Sequence, residues 1–262
     1  MNKTLMAISW IDSSGAAGLA ADLKTFQTFR VYGAPVATAV AAQTTSGLQA
    51  LSPVPMAFVG QQIEAVAADM PVHGIKVGAL ITAQNVRMVA GLLGALKLTD
   101  IVVVDPSLTA STGEALLEES ALDYLKRDLI PLASVLTPSA TEAEKLTGVA
   151  IADAASAKEA AKALLGMGCR AVIITSVPGQ GPRSMDLMAD PGGFHLFDAP
   201  RVATNNLLGI GDTFSAIVAS QLVRGAILGE AVDRAKRYIA KAVQHPFRIG
   251  QGGGPLNHTL PM

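Results

Sequence analysis

One cysteine, Cys169, stands in the whole chain, which excludes an intramolecular disulfide and a zinc site of the paired-cysteine kind. Aromatic residues are almost as scarce, at 4% with one Trp, three Tyr and seven Phe, too few for a platform on which bases stack. No excess of charge is present either: 20 basic against 21 acidic residues leave −1, without the positive field that phosphate backbones require. Long apolar runs are missing as well. The longest stretch without a charge, residues 31–63, is broken by Gly33, Pro35, Gln43, Thr44, Thr45, Ser46, Gly47, Pro53 and Pro55, so it does not supply the ~20 apolar residues of a spanning helix. The first ten residues have too short an apolar run for a secretory signal, which gives the expectation of a cytoplasmic protein with neither nucleic acid nor membrane as partner.

What is present is aliphatic. Half of the 262 residues are hydrophobic and the mean hydropathy is +0.40, values that fit a sheet covered on both faces. Short apolar runs at residues 5–9, 36–41, 74–78, 101–105, 134–137 and 171–175 predict strands. Ala-rich stretches such as 56–69 and 83–97 carry helical spacing. A hairpin is expected over 184–198 about a Pro191-Gly192-Gly193 turn, followed by helices over about 212–224 and 229–244. The alternation predicts an α/β fold with a mostly parallel central sheet and helices on both faces, and no linker or repeat divides residues 1–262 into more than one domain.

In such sheets function collects beyond the carboxyl ends of the strands. The sharpest segment there is Gly209-Ile210-Gly211-Asp212, just before an apolar helix. Glycines let successive amides converge, and the positive end of a helix dipole adds to an anion site. An Asp at that helix start is placed to accept the proton of a hydroxyl attacking a terminal phosphate. The plainer reading of Asp212 is an N-cap after a glycine turn.

Residues 209–216 resemble the Gly-Ala-Gly-Asp signature of the ribokinase superfamily. Within it, Asp12-Ser13-Ser14-Gly15-Ala16-Ala17-Gly18 through Asp22-Leu23-Lys24-Thr25 is similar to the substrate loop of hydroxymethylpyrimidine/phosphomethylpyrimidine kinases. The likeness continues in order through Gln43-Thr44-Thr45, Ile75-Lys76-Val77-Gly78, Val104-Asp105-Pro106, Leu136-Thr137-Pro138, Glu142-Ala143, residues 166–169 and Gly252-Gly253-Gly254-Pro255-Leu256-Asn257-His258.

The resemblance implies a ribokinase-like fold and an ATP- and Mg²⁺-dependent kinase of 4-amino-5-hydroxymethyl-2-methylpyrimidine or its monophosphate, working as a homodimer. It implies Asp212 as base, and Gly209, Ile210 and Gly211 as the anion hole. Gln43 would read the pyrimidine edge, the Asp12 loop and Ala17 would line the ring, and Asp105 and Glu142 would stand near phosphate and magnesium. Each has an ordinary alternative. Gln43 satisfies loop backbone, Asp105-Pro106 starts a turn, Ser139 and Glu142 form a helix capping box, and Asp12 makes an Asx-turn. His73 and His258 read as structural histidines and Cys169 as buried and inert.

The departures matter as much. Trp10 stands where the resembling family keeps a glycine, and it either stacks on a flat ring or fills its space. Ala79 replaces a methionine, which returns room lost to Trp10. Ser139 replaces an asparagine, Thr175-Ser176 replaces a lysine-containing segment, and Asn205-Asn206-Leu207-Leu208 precedes the anion loop without its usual lysine and histidine. Arg183 and Lys241 are the candidates to restore the missing positive charge. The pattern leaves a pyridoxal or pyridoxine kinase as the nearest alternative, a ligand-binding protein with weak or no transfer as the next, and an adenosine- or sugar-type kinase as the last.

Overall fold

A computed structural model of the chain describes residues 3–179 and 181–261. Its centre is a nine-stranded sheet. The strands are β1 (Thr4–Asp12), β2 (Tyr32–Thr44), β3 (Gly47–Pro53), β4 (Gly74–Val77), β5 (Val102–Val104), β6 (Val135–Leu136), β7 (Val172–Val177), β8 (Arg183–Asp190) and β9 (Gly193–Pro200). They lie in the order β3-β2-β1-β4-β5-β6-β7-β8-β9. The six from β2 to β7 run parallel, while β3 at one edge and the β8–β9 hairpin at the other are antiparallel.

Helices cover both faces, and the strand period of two decides which residues meet which helix. Met6 and Ile8 of β1 join Val102 and Val104 of β5 in one core, with α2 (Met56–Asp69), α3 (Ala83–Leu96), α5 (Ala140–Thr147) and α6 (Ala154–Leu165) packed over it. Leu5, Ala7 and Val103 point the other way, into a core closed by α1 (Gly18–Thr28), α7 (Ile210–Val223) and α8 (Leu228–Gln244). Residues 119–132 add short helical turns, with α4 (Leu122–Tyr124) among them. Coverage on both sides is why the strands read as unbroken apolar runs.

All six expected strands are present with ends moved by a few residues, as are the hairpin and both closing helices. The edge strand β3 has no counterpart in the sequence reading, because most of its side chains are exposed or half-buried and show no alternation. Among the described residues no helix is long and apolar enough to cross a membrane.

The chain crosses from β1 to β2 on one side and returns to place β4 on the other, so the order reverses at β1. The carboxyl ends of β1, β2, β4, β5, β6 and β7 therefore share one rim, with Asp12, Gln43, Gly78, Asp105, Thr137 and Thr175 along it. This rim is where an open parallel sheet holds ligands.

Candidate active site

Asp12 closes β1 and shapes the loop that follows. Its Oδ1 accepts from the Ser14 amide at 2.8 Å, and its Oδ2 accepts from Ser14 Oγ at 2.8 Å and from the amides of Ala16 and Ala17 at 3.0 and 2.9 Å. With four donors on a buried carboxylate, Asp12 builds the loop that carries Ala17, and contact with a ring falls to its neighbours. Ser13 fixes the same loop to β2, since its Oγ accepts from the Gln43 amide at 2.9 Å and donates to the Gln43 carbonyl at 3.0 Å.

The loop ends at Gly18, which has φ +56°. A Cβ there would lie 2.5 Å from the Trp10 carbonyl oxygen and 2.6 Å from the indole, so glycine is required for Trp10 to pack against this backbone. Trp10 is 2% exposed and sits among Ala17, Ala39, Ala41, Ala79, Ile81, Ala110 and Leu116. The small residues around it, Ala79 included, make the room that the indole needs. Gln43 follows Ala39 and Ala41 on the buried side of β2, and its Oε1 is buried without a hydrogen-bond partner among the described residues.

The anion loop meets this loop directly. Gly209, at φ +75°, caps α7, and a Cβ on it would lie 1.9 Å from the Ala16 carbonyl oxygen. Thr213 Oγ1 donates back to the Gly209 carbonyl at 2.7 Å and lies 2.9 Å from His258 Nε2. Burial, and then the charge of Lys24, pushes His258 down to about 4, so it stays neutral and structural. The helix begins two residues before the sequence reading placed it, so Asp212 is in the first turn and is no N-cap. In that turn the amides of Gly211 and Asp212 have no carbonyl one turn back to bond.

The Asp212 carboxylate is held from two sides. Its Oδ2 accepts from the Gly18 amide at 2.9 Å and its Oδ1 from Lys76 Nζ at 3.0 Å. Lys76, fully buried on β4, also lies 2.9 Å from Asp22 Oδ1 and 3.1 Å from Oδ2. Burial alone would lower its pKa, but the carboxylates of Asp22, Asp212 and Asp105 more than reverse this and keep it an ammonium. One ammonium does not satisfy three buried acids. Burial pushes Asp22 up to about 8 against the pull of Lys76, and burial together with the neighbouring negative charges of Asp212 and Glu142 pushes Asp105 up to about 7. Lys76 and Asp22 escaped the assignment of roles from sequence. The available signal was a lysine inside an otherwise apolar four-residue strand.

Asp105 follows β5, with Oδ1 accepting from the amide and hydroxyl of Ser107 and Oδ2 accepting from Ser215 Oγ at 3.1 Å. Glu142 is the reciprocal partner of Ser139 in a capping box at the start of α5. It also accepts from the Leu108 amide at 2.8 Å and from Ser139 Oγ at 2.9 Å. The described residues contain no group of three or more metal-ligating side chains.

Two cavities meet at the anion loop. One, of about 350 Å³, is walled by Trp10, Ala17, Asp105, Glu142, Gly211 and Asp212. The other, of about 270 Å³, runs between Val202, Phe214, Lys236 and Val243, and both touch Thr175, Ser176, Ile210 and Gly211. Gln43 and Ala79 are outside the walls of the first cavity; Ala79 packs with Trp10, which lines it. Neither cation expected to make up the missing charge reaches the second. Arg183 is exposed and paired with Asp198, and Lys241 borders an adjoining groove beside β9. The cations that line the second cavity are Arg201 and Lys236, the latter paired with Asp186 at 2.9 Å.

A parallel sheet with this order, a glycine-capped helix over its rim and an acid at the helix start define a ribokinase-like small-molecule kinase. The comparisons agree. Residues 12–257 match the family model for phosphomethylpyrimidine kinase, and the chain belongs to that family. It is 42% identical over 261 residues to the hydroxymethylpyrimidine/phosphomethylpyrimidine kinase of Haemophilus influenzae, covering 98% of this chain and 96% of that one. It is 40% identical to the thiamine biosynthesis bifunctional protein ThiED of Geobacter sulfurreducens over 98% of this chain, and it spans 52% of that longer protein. Among solved structures, an ADP complex of Bacillus subtilis pyridoxal kinase superposes with a TM-score of 0.89 at 29% identity, covering 99% and 98% of the two chains. Phosphomethylpyrimidine kinase from Clostridium difficile gives 0.81 at 31%, covering 93% and 100%.

Proposed function

We propose that this protein transfers the terminal phosphoryl group of ATP to the hydroxymethyl group of 4-amino-5-hydroxymethyl-2-methylpyrimidine, and then to its monophosphate, in thiamine biosynthesis. The observation that carries the reading is Asp212, held by Gly18 and Lys76 at the start of α7 where two cavities join. The pyrimidine occupies the 350 Å³ cavity against Trp10 and Ala17, and ATP lies along the 270 Å³ cavity toward Lys236. The orphaned Oε1 of Gln43 supports a polar role at the end of β2, since a buried acceptor without a donor loses about 1–3 kcal/mol until something donates to it.

In the transfer, the substrate oxygen bonds to the terminal phosphorus, the bond from that phosphorus to its bridging oxygen breaks, and the hydroxyl proton goes to Asp212. The amides of Gly211 and Asp212 and the α7 dipole stabilise the charge on the phosphoryl oxygens. Mg²⁺ fits the donor set of this site, because the hard carboxylate oxygens of Asp105 and Glu142 line the same cavity as Gly211 and Asp212. Asp105 would hold it directly. Glu142, like Asp105, already accepts three hydrogen bonds, and it would do so directly or through water. Bound there, Mg²⁺ supplies charge neutralisation for the phosphates.

The same reading treats residues 1–262 as one catalytic domain of a cytoplasmic homodimer, for which Tyr32, Val40, Met56 and Phe58 are among the exposed apolar side chains. A pyridoxal kinase is the second reading, supported by the higher TM-score of 0.89 against a pyridoxal kinase. ADP release by the purified protein with hydroxymethylpyrimidine and with pyridoxal decides between them. The pyrimidine is expected to be preferred and Asp212→Asn to abolish turnover while keeping ligand binding. A preference for pyridoxal overturns the first reading, and a parent without turnover on either substrate leaves a binding protein.

A further inference from the structure

Lys76 occupies an expensive position. Its side chain has no exposed surface, and taking an ammonium out of water costs several kcal/mol unless its partners repay it. Asp22, equally buried, is one such partner: its Oδ2 accepts from Nζ at 3.1 Å, and its Oδ1 lies 2.9 Å away without a hydrogen bond. The third contact calls for an explanation. It runs 3.0 Å to Asp212 Oδ1, joining α1, β4 and α7 through one nitrogen. The room for that nitrogen is preserved by Gly78, where a Cβ would lie 3.0 Å from Nζ and 2.5 Å from Ser9 Oγ.

We infer that Lys76, anchored by Asp22, is a positioning residue that fixes the Asp212 carboxylate for proton acceptance. This rests on the reading of Asp212 as the base. The geometry is a two-point clamp. Oδ1 is held by the ammonium and Oδ2 by the Gly18 amide, each through one hydrogen bond, and the lone pairs left on both oxygens serve the cavity that Asp212 lines. The proton taken from the substrate hydroxyl stays on Asp212 until solvent removes it. Lys76 donates hydrogen bonds throughout and loses no proton. Asp22 keeps the ammonium from being drawn wholly toward Asp212, which would make that carboxylate a poorer acceptor.

The test measures Lys76→Met, Lys76→Ala and Asp22→Asn beside the parent and Asp212→Asn. Lys76→Met should lower kcat about 100-fold, the lower end of what one general base contributes, and Asp22→Asn, one residue further from the base, about tenfold, with KM for the pyrimidine changed less than about threefold. Added ethylamine should restore part of the turnover of Lys76→Ala and none of that of Asp212→Asn. Kcat within twofold of the parent in Lys76→Met overturns the inference, as does an equal loss in kcat and KM without rescue by amine, which marks a merely structural lysine. If the parent itself shows no turnover, the functional reading falls separately, and a crystal structure of Lys76→Met decides the clamp. An Asp212 carboxylate that has left the Gly18 amide supports it, and one that has not moved overturns it.

Discussion

Replacing Gly209 and Gly211 one at a time by alanine separates the backbone demands of the anion loop from its chemistry. At Gly209 the backbone is left-handed at φ +75°, which costs a residue with a Cβ about 1–2 kcal/mol. The added carbon would also lie 1.9 Å from the Ala16 carbonyl oxygen, far inside contact distance. That oxygen belongs to the loop wound around Asp12, so relief means moving Ala16, Ala17 and Gly18, and overpacking of this kind costs about 1–3 kcal/mol more. Gly209→Ala should therefore destabilise by about 2–5 kcal/mol, lowering Tm by roughly 4–20 °C for a chain of this size. It should also release Asp212 from the Gly18 amide. At Gly211 the carbon meets only Asp105 Oδ2, at 3.7 Å, an ordinary contact, and the residue is helical. Gly211→Ala should melt at or slightly above the parent, because alanine is the better helix former by ~1 kcal/mol, yet lose at least about tenfold in kcat because the methyl enters the phosphate side of the cavity. Thermal unfolding and coupled ADP release read both. A Gly209→Ala protein melting within ~2 °C of the parent, or a Gly211→Ala protein with parental kcat, would refute the assignment of these two roles.

Trp10→Gly should cost about 3–5 kcal/mol of stability, since the indole is buried, and change the kcat/KM ratio for pyridoxal over the pyrimidine by about tenfold or more. Competition assays with both substrates check this, and an unchanged ratio counts against Trp10 as a wall of the ring site. Asp22 and Asp105, raised by burial to about 8 and about 7, bind protons more tightly folded than unfolded, so they favour the fold at low pH and that contribution disappears as pH rises through those values. His258, lowered to about 4, acts oppositely between 6.5 and 4 and is neutral in both states above that. Tm of the ligand-free protein should thus fall from pH 6.5 to 8.5, and Asp105→Asn should flatten the slope, as scanning calorimetry at three pH values will show. The Cys169 thiol, pushed up to about 11 by burial and donating to the Leu164 carbonyl, should not react with a disulfide reagent until the protein unfolds. Prompt labelling of native protein would contradict its burial.

The sheet was legible in the sequence because burial on both faces writes each strand as an apolar run, and the turn at Gly192 and Gly193 marks the hairpin. β3 was not, since an exposed edge strand needs no pattern to pair with β2. At the site, the glycines announced the anion loop, but spacing along one segment carries no information about elements 50 to 200 residues away. The cap reading of Asp212 failed for that reason: its partners are Gly18 and Lys76, on other elements. Glu142 shows the converse, because a capping box is local and was visible as one. Lys76 was hidden by its setting, for a charged residue in a short apolar run looks like the end of a strand until its partners are folded against it.

The packing of Trp10 has an optical consequence. It is the only tryptophan in the chain, it is almost wholly shielded from water, and its indole lines the cavity that also holds Asp212. Excited near 295 nm, the protein therefore emits from a single indole with no background from elsewhere, and that indole stands within the wall a ring would touch. A molecule that entered the cavity against this residue would change the polarity or the quenching around the one fluorophore. Trp10 would thus serve as an internal gauge of occupancy beside Asp212, read without a label.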